Sequence, residues 1–173
     1  MNSRLYFSSA TLAAAALLSS CQSNVGAPTW EDSRVNISFE NPDDFTDFKD
    51  GLVGTERGRE DHEYQLRRAI TETAANRLKD GQRLSISFTD IDLAGDYLPS
   101  AHTGHDVRVI KEIYAPRMAF RYTLTDANGA VIKEGTENFR DTAFQYRTGG
   151  LDRNEALYYD KELIRDWIRK TVR

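Results

Sequence analysis

Three stretches of this sequence alternate apolar and polar residues with a period of two, and that alternation limits the fold more than any other feature. Val35, Ile37 and Phe39 interleave with Asn36 and Ser38. Leu84, Ile86 and Phe88 interleave with Ser85, Ser87 and Thr89, and Met118, Phe120, Tyr122 and Leu124 interleave with Ala119, Arg121 and Thr123. Successive side chains of a strand point to opposite faces, so each stretch is a strand with one face to bury and one to leave in water. A sheet of such strands needs a second layer over its apolar face.

Helical stretches can supply that layer. Between Glu60 and Lys79, Leu66, Ile70, Ala74 and Leu78 form a stripe. Glu60, Asp61 and Glu63 lie at the positive end of the helix dipole, Arg77 and Lys79 at the negative end, and Gly81 suits a left-handed stop. Asp152 with Glu155 three residues on predicts a capping box, opening a second helix through Leu157, Ile164, Trp167, Ile168 and Val172. Between the helices, Asp106 to Ile113 reads as a further strand. Asn128-Gly129, where both residues accept positive φ, predicts a hairpin into a strand from about Ala130 to Phe139. Lys133, Glu134 and Glu137 put charge on both faces of that last strand, a pattern that guards an exposed sheet edge. Asn41-Pro42 ends the first strand, and the acidic stretch 43–58 reads as a loop with Phe45 and Phe48 as its contacts to the core. The predicted fold is α+β: a two-layer sandwich in the order β-α-β-β-β-β-α, with two helices over one face of a mostly antiparallel four- to five-stranded sheet. It occupies residues 34–173 as one domain.

Residues 1–20 read as an export leader, with Arg4 ahead of an apolar, alanine-rich run that is too short and too interrupted by serine to span a bilayer. The segment Leu18-Ser19-Ser20-Cys21 resembles the lipobox of bacterial lipoproteins, which makes Cys21, the one cysteine of the chain, the expected site of acylation. Two or more acyl chains anchor stably, at about 0.8 kcal/mol per buried methylene. Residues 21–33 then form the lipidated cysteine and a polar tether, whose dozen residues reach at most about 40 Å. Gln22 stands where an aspartate would resemble an inner-membrane retention signal, which tilts the expectation toward the outer membrane. Removing 20 of 173 residues deletes one of 23 basic residues and none of the 27 acidic ones, leaving a charge of −5. That balance, with no basic cluster among aromatics, excludes nucleic acid as an expected partner.

Two segments are candidates for chemistry. Continuing the alternation past Thr89 would turn Asp90 and Asp92 toward the core, so something must break the phase. A bulge, a structural ion pair with Arg108 or Arg117, and a metal or acid site are the three readings of that cluster. His102, His105 and Asp106 could supply the other half of a metal site, although the glycine between the histidines favours a solvated loop. The chain carries no phosphate-cradling glycine loop, no G-x-S-x-G, no H-E-x-x-H and no C-x-x-C. Phe144, Tyr146, Tyr158 and Tyr159 flank Gly149-Gly150 and read as packing between helix and sheet, with a recognition surface for a partner as the alternative.

From Val35 to Trp167 the chain resembles a family of bacterial envelope proteins called domain of unknown function 3016. The resemblance rests on Phe45-Thr46-Asp47, Gly81-Gln82-Arg83-Leu84, Thr89-Asp90-Ile91-Asp92-Leu93-Ala94-Gly95, Asp106-Val107-Arg108-Val109, Pro116-Arg117, Tyr122-Thr123-Leu124 and Asp166-Trp167. Ala115-Pro116 departs from the family's double proline. The resemblance implies an envelope location and lipoprotein or secreted status, and it assigns no activity. The resulting expectation is a membrane-attached, non-catalytic module that binds another envelope component and uses no cofactor. A metal-binding protein or metal-dependent enzyme built on Asp90, Asp92, His102 and His105 is the alternative.

Overall fold

The computed structural model describes residues 30–99, 106–146 and 155–173. The leader, Cys21 and most of the tether lie outside the described residues, as do His102, His105, Gly149-Gly150 and Asp152.

The described chain is an α+β fold of six strands and two α-helices: β1 (Val35–Phe39), α1 (Glu56–Ala75), β2 (Arg83–Asp92), β3 (Asp96–Leu98), β4 (Val107–Val109), β5 (Arg117–Thr125), β6 (Val131–Arg140) and α2 (Tyr158–Thr171). Four strands form one sheet in the order β1-β2-β5-β6, while β3 and β4 pair as a separate ribbon. β1 runs parallel to β2, because α1 is the crossover between them; the other pairs are antiparallel. The strand expected over 106–113 is therefore three residues long and does not join the main sheet. It is captured by Asp96–Leu98, where Gly95, at φ +84°, turns the chain out of β2.

The alternation is realised in the burial of the strands. Leu84, Ile86 and Phe88 of β2 and Met118, Phe120, Tyr122 and Leu124 of β5 enter one apolar cluster. Leu66, Ile70 and Ala74 of α1 join it with Leu163, Ile164, Trp167 and Ile168 of α2. Trp167 stands edge-on to Phe120 and Tyr122, each at 4.8 Å between ring centres, and so locks α2 to the middle of the sheet. Phe45 and Phe48 from the acidic loop are buried in the same cluster.

Element ends differ from the expectations for local reasons. α1 begins four residues early, since Thr55 caps it by accepting from the Gly58 N–H at 3.0 Å, and Asp50 in turn holds the Thr55 N–H and hydroxyl at 2.6 Å each. It also stops early, at Ala75. The Asn76 amide donates to the Glu72 carbonyl, and Arg34, just before β1, reaches the Ala75 and Leu78 carbonyls. Gly81 is left-handed, but it serves the turn into β2. α2 starts at Tyr158 after a left-handed Leu157, and Glu155, assigned to a capping box by its spacing, instead binds buried Lys161 at 2.6 Å. The β5–β6 hairpin has positive φ at Gly129 alone. Asp126 accepts from the Asn128 and Ala130 N–H groups, and one residue is bulged next to the turn. Among the described residues no helix is long and apolar enough to cross a membrane.

Candidate functional site

A β-bulge between Phe88 and Asp90 resolves the phase problem at the end of β2. Phe88 and Ile91 both face the core, while Asp90 and Asp92 emerge on the opposite face, each still partly covered. The loop after β1 lies against this end of the strand. Buried Phe45 and Phe48 pin it, the Asp47 N–H donates to the Ile91 carbonyl at 3.0 Å, and the Leu93 N–H returns a bond to Asp47 at 3.1 Å. Three carboxylates, on Asp47, Asp90 and Asp92, are thereby brought to one edge.

Each meets a guanidinium. Asp90 accepts from the Thr46 N–H at 2.7 Å, from the Thr46 hydroxyl at 2.8 Å and from Arg117. Arg117 extends to Thr46 and, at 3.3 Å, to Asn138 on β6. Asp92 pairs with Arg140 at 2.8 Å, and Arg140 also donates to the Ala115 carbonyl. Arg108, on the ribbon, bonds neither Asp90 nor Asp92; it grips Asp47 with two bonds, at 2.9 and 3.2 Å. It donates further to the carbonyls of Ala94, Gly95 and Lys49 at 3.2 Å each, and lies over the Tyr97 ring at 4.4 Å. A Cβ on Gly95 would stand 2.6 Å from Ile110 and 2.9 Å from the Val109 carbonyl, so this close approach of β4 requires glycine.

These environments separate the acids. Partial burial pushes Asp90 up, but the two bonds from Thr46 and the Arg117 guanidinium together outweigh it and hold the carboxyl below its ordinary range. Burial prevails at Asp92, where Arg140 opposes it only in part, and the carboxyl lies above its ordinary range. For Arg108, burial opposes the charge and Asp47 overcomes it, so the guanidinium stays firmly charged.

Beside Arg108 sits a carboxylate that the sequence reading did not single out. Asp160, in the first turn of α2, is 2% exposed and accepts the Ala94 N–H at 2.9 Å. Burial pushes it up to about 7. A cavity of about 120 Å³ lies here, bordered by Arg108, Ile110, Tyr159 and Asp160. A signal for this burial was available, since residues 160 and 161 sit four and three positions before Ile164, on the apolar stripe of α2. Lys161 is likewise buried, donating to Gln65 of α1 at 2.8 Å as well as to Glu155.

Of the remaining candidate ligands, only Asp106 lies among the described residues. Asp106 accepts from the Leu52 N–H at 2.9 Å, and its partners in the sequence reading, His102 and His105, lie outside the described residues. Among the described residues no group of three His, Cys, Asp or Glu side chains could hold a metal ion. Phe144 is buried edge-on to Tyr159, which in turn contacts Tyr158, whereas Tyr146 is exposed. Farther along the face away from the helices, Ser38 bonds Ser87 at 3.0 Å, and Glu40 accepts from Ser87 and Arg121. Chemically, the arrangement is a set of charges already satisfied by one another: Asp47, Asp90 and Asp92 are all engaged by arginine. Carboxylates so held make a rigid polar surface.

Comparison with curated proteins gives no match. A solved structure similar to this chain is a minor lipoprotein from Acinetobacter baumannii, with 14% identity over 80% of this chain and 89% of that one and a TM-score of 0.24, a likeness from which neither fold nor function transfers. The family model described as a protein of unknown function, DUF3016, matches residues 33–170, a span that contains the Asp90–Arg117 and Asp92–Arg140 pairs, Arg108 and Asp160. By that match over most of its length, the chain belongs to the DUF3016 family.

Proposed function

We propose that this protein is a lipid-anchored component of the bacterial cell envelope, acylated at Cys21 and facing the periplasm, more specifically from the outer membrane. It binds another envelope component through the sheet face away from the helices and catalyses no reaction. The observation that carries this reading is the state of that face. Ser87, Glu40 and Arg121 form one group of paired polar residues on that face, and Asp90, Arg117, Asp92 and Arg140 a second, all at least partly open to water. Charges held by neighbours present a fixed pattern that a complementary surface can match without first ordering them. The leader, the single cysteine at its end and the short polar tether support attachment beside a bilayer.

Two measurements test the reading. Labelling with radioactive palmitate should mark the protein and leave Cys21→Ser unlabelled and released from the membrane fraction; an unlabelled parent protein removes the anchor from the proposal. A photo-crosslinking residue at position 121 should give one discrete adduct in intact cells, lost when Arg117 and Arg140 are both changed to glutamate. An adduct pattern indifferent to those charges removes the binding face.

A further inference from the structure

β6 is an edge of the sheet, so among the described residues one side of this ten-residue strand has backbone groups with no neighbouring strand. Val131 and Ile132 are exposed at one end. Beside the other end, a groove of about 360 Å³ runs between β6 and α2, lined by Glu137, Phe139, Leu163, Trp167 and Lys170. The buried indole N–H of Trp167 has no hydrogen-bond partner. Lys133 and Glu137, with no ion-pair partner among the described residues, are the charges that flank Gly135 on one face of the strand. Both lie on the helix side of the strand, since their β5 partners are Leu124 and Phe120, which face the core. They are four residues apart on one strand, about 13 Å, and cannot reach each other within a chain.

We propose that β6 pairs with β6 of a second copy, antiparallel about a two-fold axis at Gly135, joining two four-stranded sheets into one. Charge decides the register. An axis through a residue position and perpendicular to the sheet keeps both helix layers on one side, and each choice of residue sets a different list of opposed side chains. Centring on residue 133, 134 or 137 sets Lys133, Glu134 or Glu137 against its own copy, which like-charge repulsion disfavours. Centring on 136 leaves both unpaired charges without a complement. The Gly135 axis sets Lys133 opposite Glu137 of the second copy, twice by symmetry, and opposes no like charges. The lysine of each copy then enters the groove of the other, its methylenes along Phe139 and Trp167 and its ammonium at Glu137. Charges that guard the edge against other strands thus select one partner and one register.

The test is sedimentation of the processed full-length chain in mild detergent at micromolar concentration. The parent chain should be dimeric. Lys133→Glu and Glu137→Lys should each weaken the dimer by about tenfold or more. An equimolar mixture of those two variants should restore it, because every opposed pair is then of unlike sign, and so should the double variant carrying both changes. The mixture also controls for folding, since a misfolded variant could not rescue its complement. A parent chain that stays monomeric, reversals without effect, or a mixture that fails to recover overturns the proposal. Crosslinks from β6 to a strand of a different protein in place of a second copy would do the same.

Discussion

Asp160 is held at 2% exposure, accepting from the Ala94 N–H, in the first turn of α2, where the helix dipole favours its charge. Burial still dominates, and its folded value of about 7 lies above the ordinary 3.8. The native state therefore keeps a proton that the unfolded chain releases, so this contribution to stability is full below about pH 4 and is lost as pH rises through 7. The loss amounts to roughly 4 kcal/mol at most. Asp160→Asn should flatten the stability profile over that window, gaining on the parent at pH 8 and not at pH 4, as read by urea unfolding at the two pH values. Asp90 is the opposite case, an acid held charged by Thr46 and Arg117. Asp90→Ala removes a carboxylate that three donors share and strands part of the Arg117 guanidinium. It should cost about 1–3 kcal/mol in the same measurement at neutral pH.

At the level of elements, the start of α1 shows how one loop residue can set a helix boundary. Asp50 binds both the N–H and the hydroxyl of Thr55, which leaves the Thr55 oxygen aimed at the Gly58 N–H. Gly58 is helical, a position where alanine ordinarily stabilises by about 0.5–1 kcal/mol. Here a Cβ would fall 2.0 Å from the Asp50 carboxyl carbon and 2.3 Å from its Cβ. Gly58→Ala should therefore reverse the usual sign, expelling Asp50 and destabilising the protein by about 1–2 kcal/mol. A melting temperature that rises on this substitution would show that the Asp50 lock contributes little. The ribbon of β3 and β4 follows the same logic. It is too short to persist alone, and Arg108, which binds Asp47 and three carbonyls, ties it to the loop after β1.

Across the whole molecule, stability converges on one layer of aromatic contacts. Phe88, Phe120, Phe139, Tyr122 and Trp167 form a chain of ring contacts from the middle of the sheet to α2. Buried Lys161 fastens α2 to α1 through Gln65. The sheet depends on α2 for cover, so the two should unfold together. Trp167→Ala should cost about 3–5 kcal/mol and leave one cooperative transition followed alike by far-ultraviolet circular dichroism and tyrosine fluorescence. Two separated transitions would show that α2 can leave a stable sheet.

Periodicity carried β1, β2, β5 and the two helical stripes, because the alternation of apolar residues follows directly from where side chains point on a strand or helix, while the hairpin signal and the charges on both faces carried β6 and its edge position. The mismatch at Asp90 and Asp92 was also visible in the order of residues, since a broken phase demands an extra residue in the ladder. What the sequence did not contain is who meets whom. Arg108 and Arg117 were equivalent candidates until the fold sent one to Asp47 and the other to Asp90, and Arg140 was not a candidate at all. Thr46 and Asp47 lie more than forty residues before these partners, and only the burial of Phe45 and Phe48 fixes their place. Helix ends moved for local reasons that the apolar period does not encode: Thr55, Asn76 and Glu155 are engaged by Asp50, Glu72 and Lys161, four to six residues away. Local pattern determines which face of an element is buried, whereas the pairing of charges depends on distances that exist only once the core has closed.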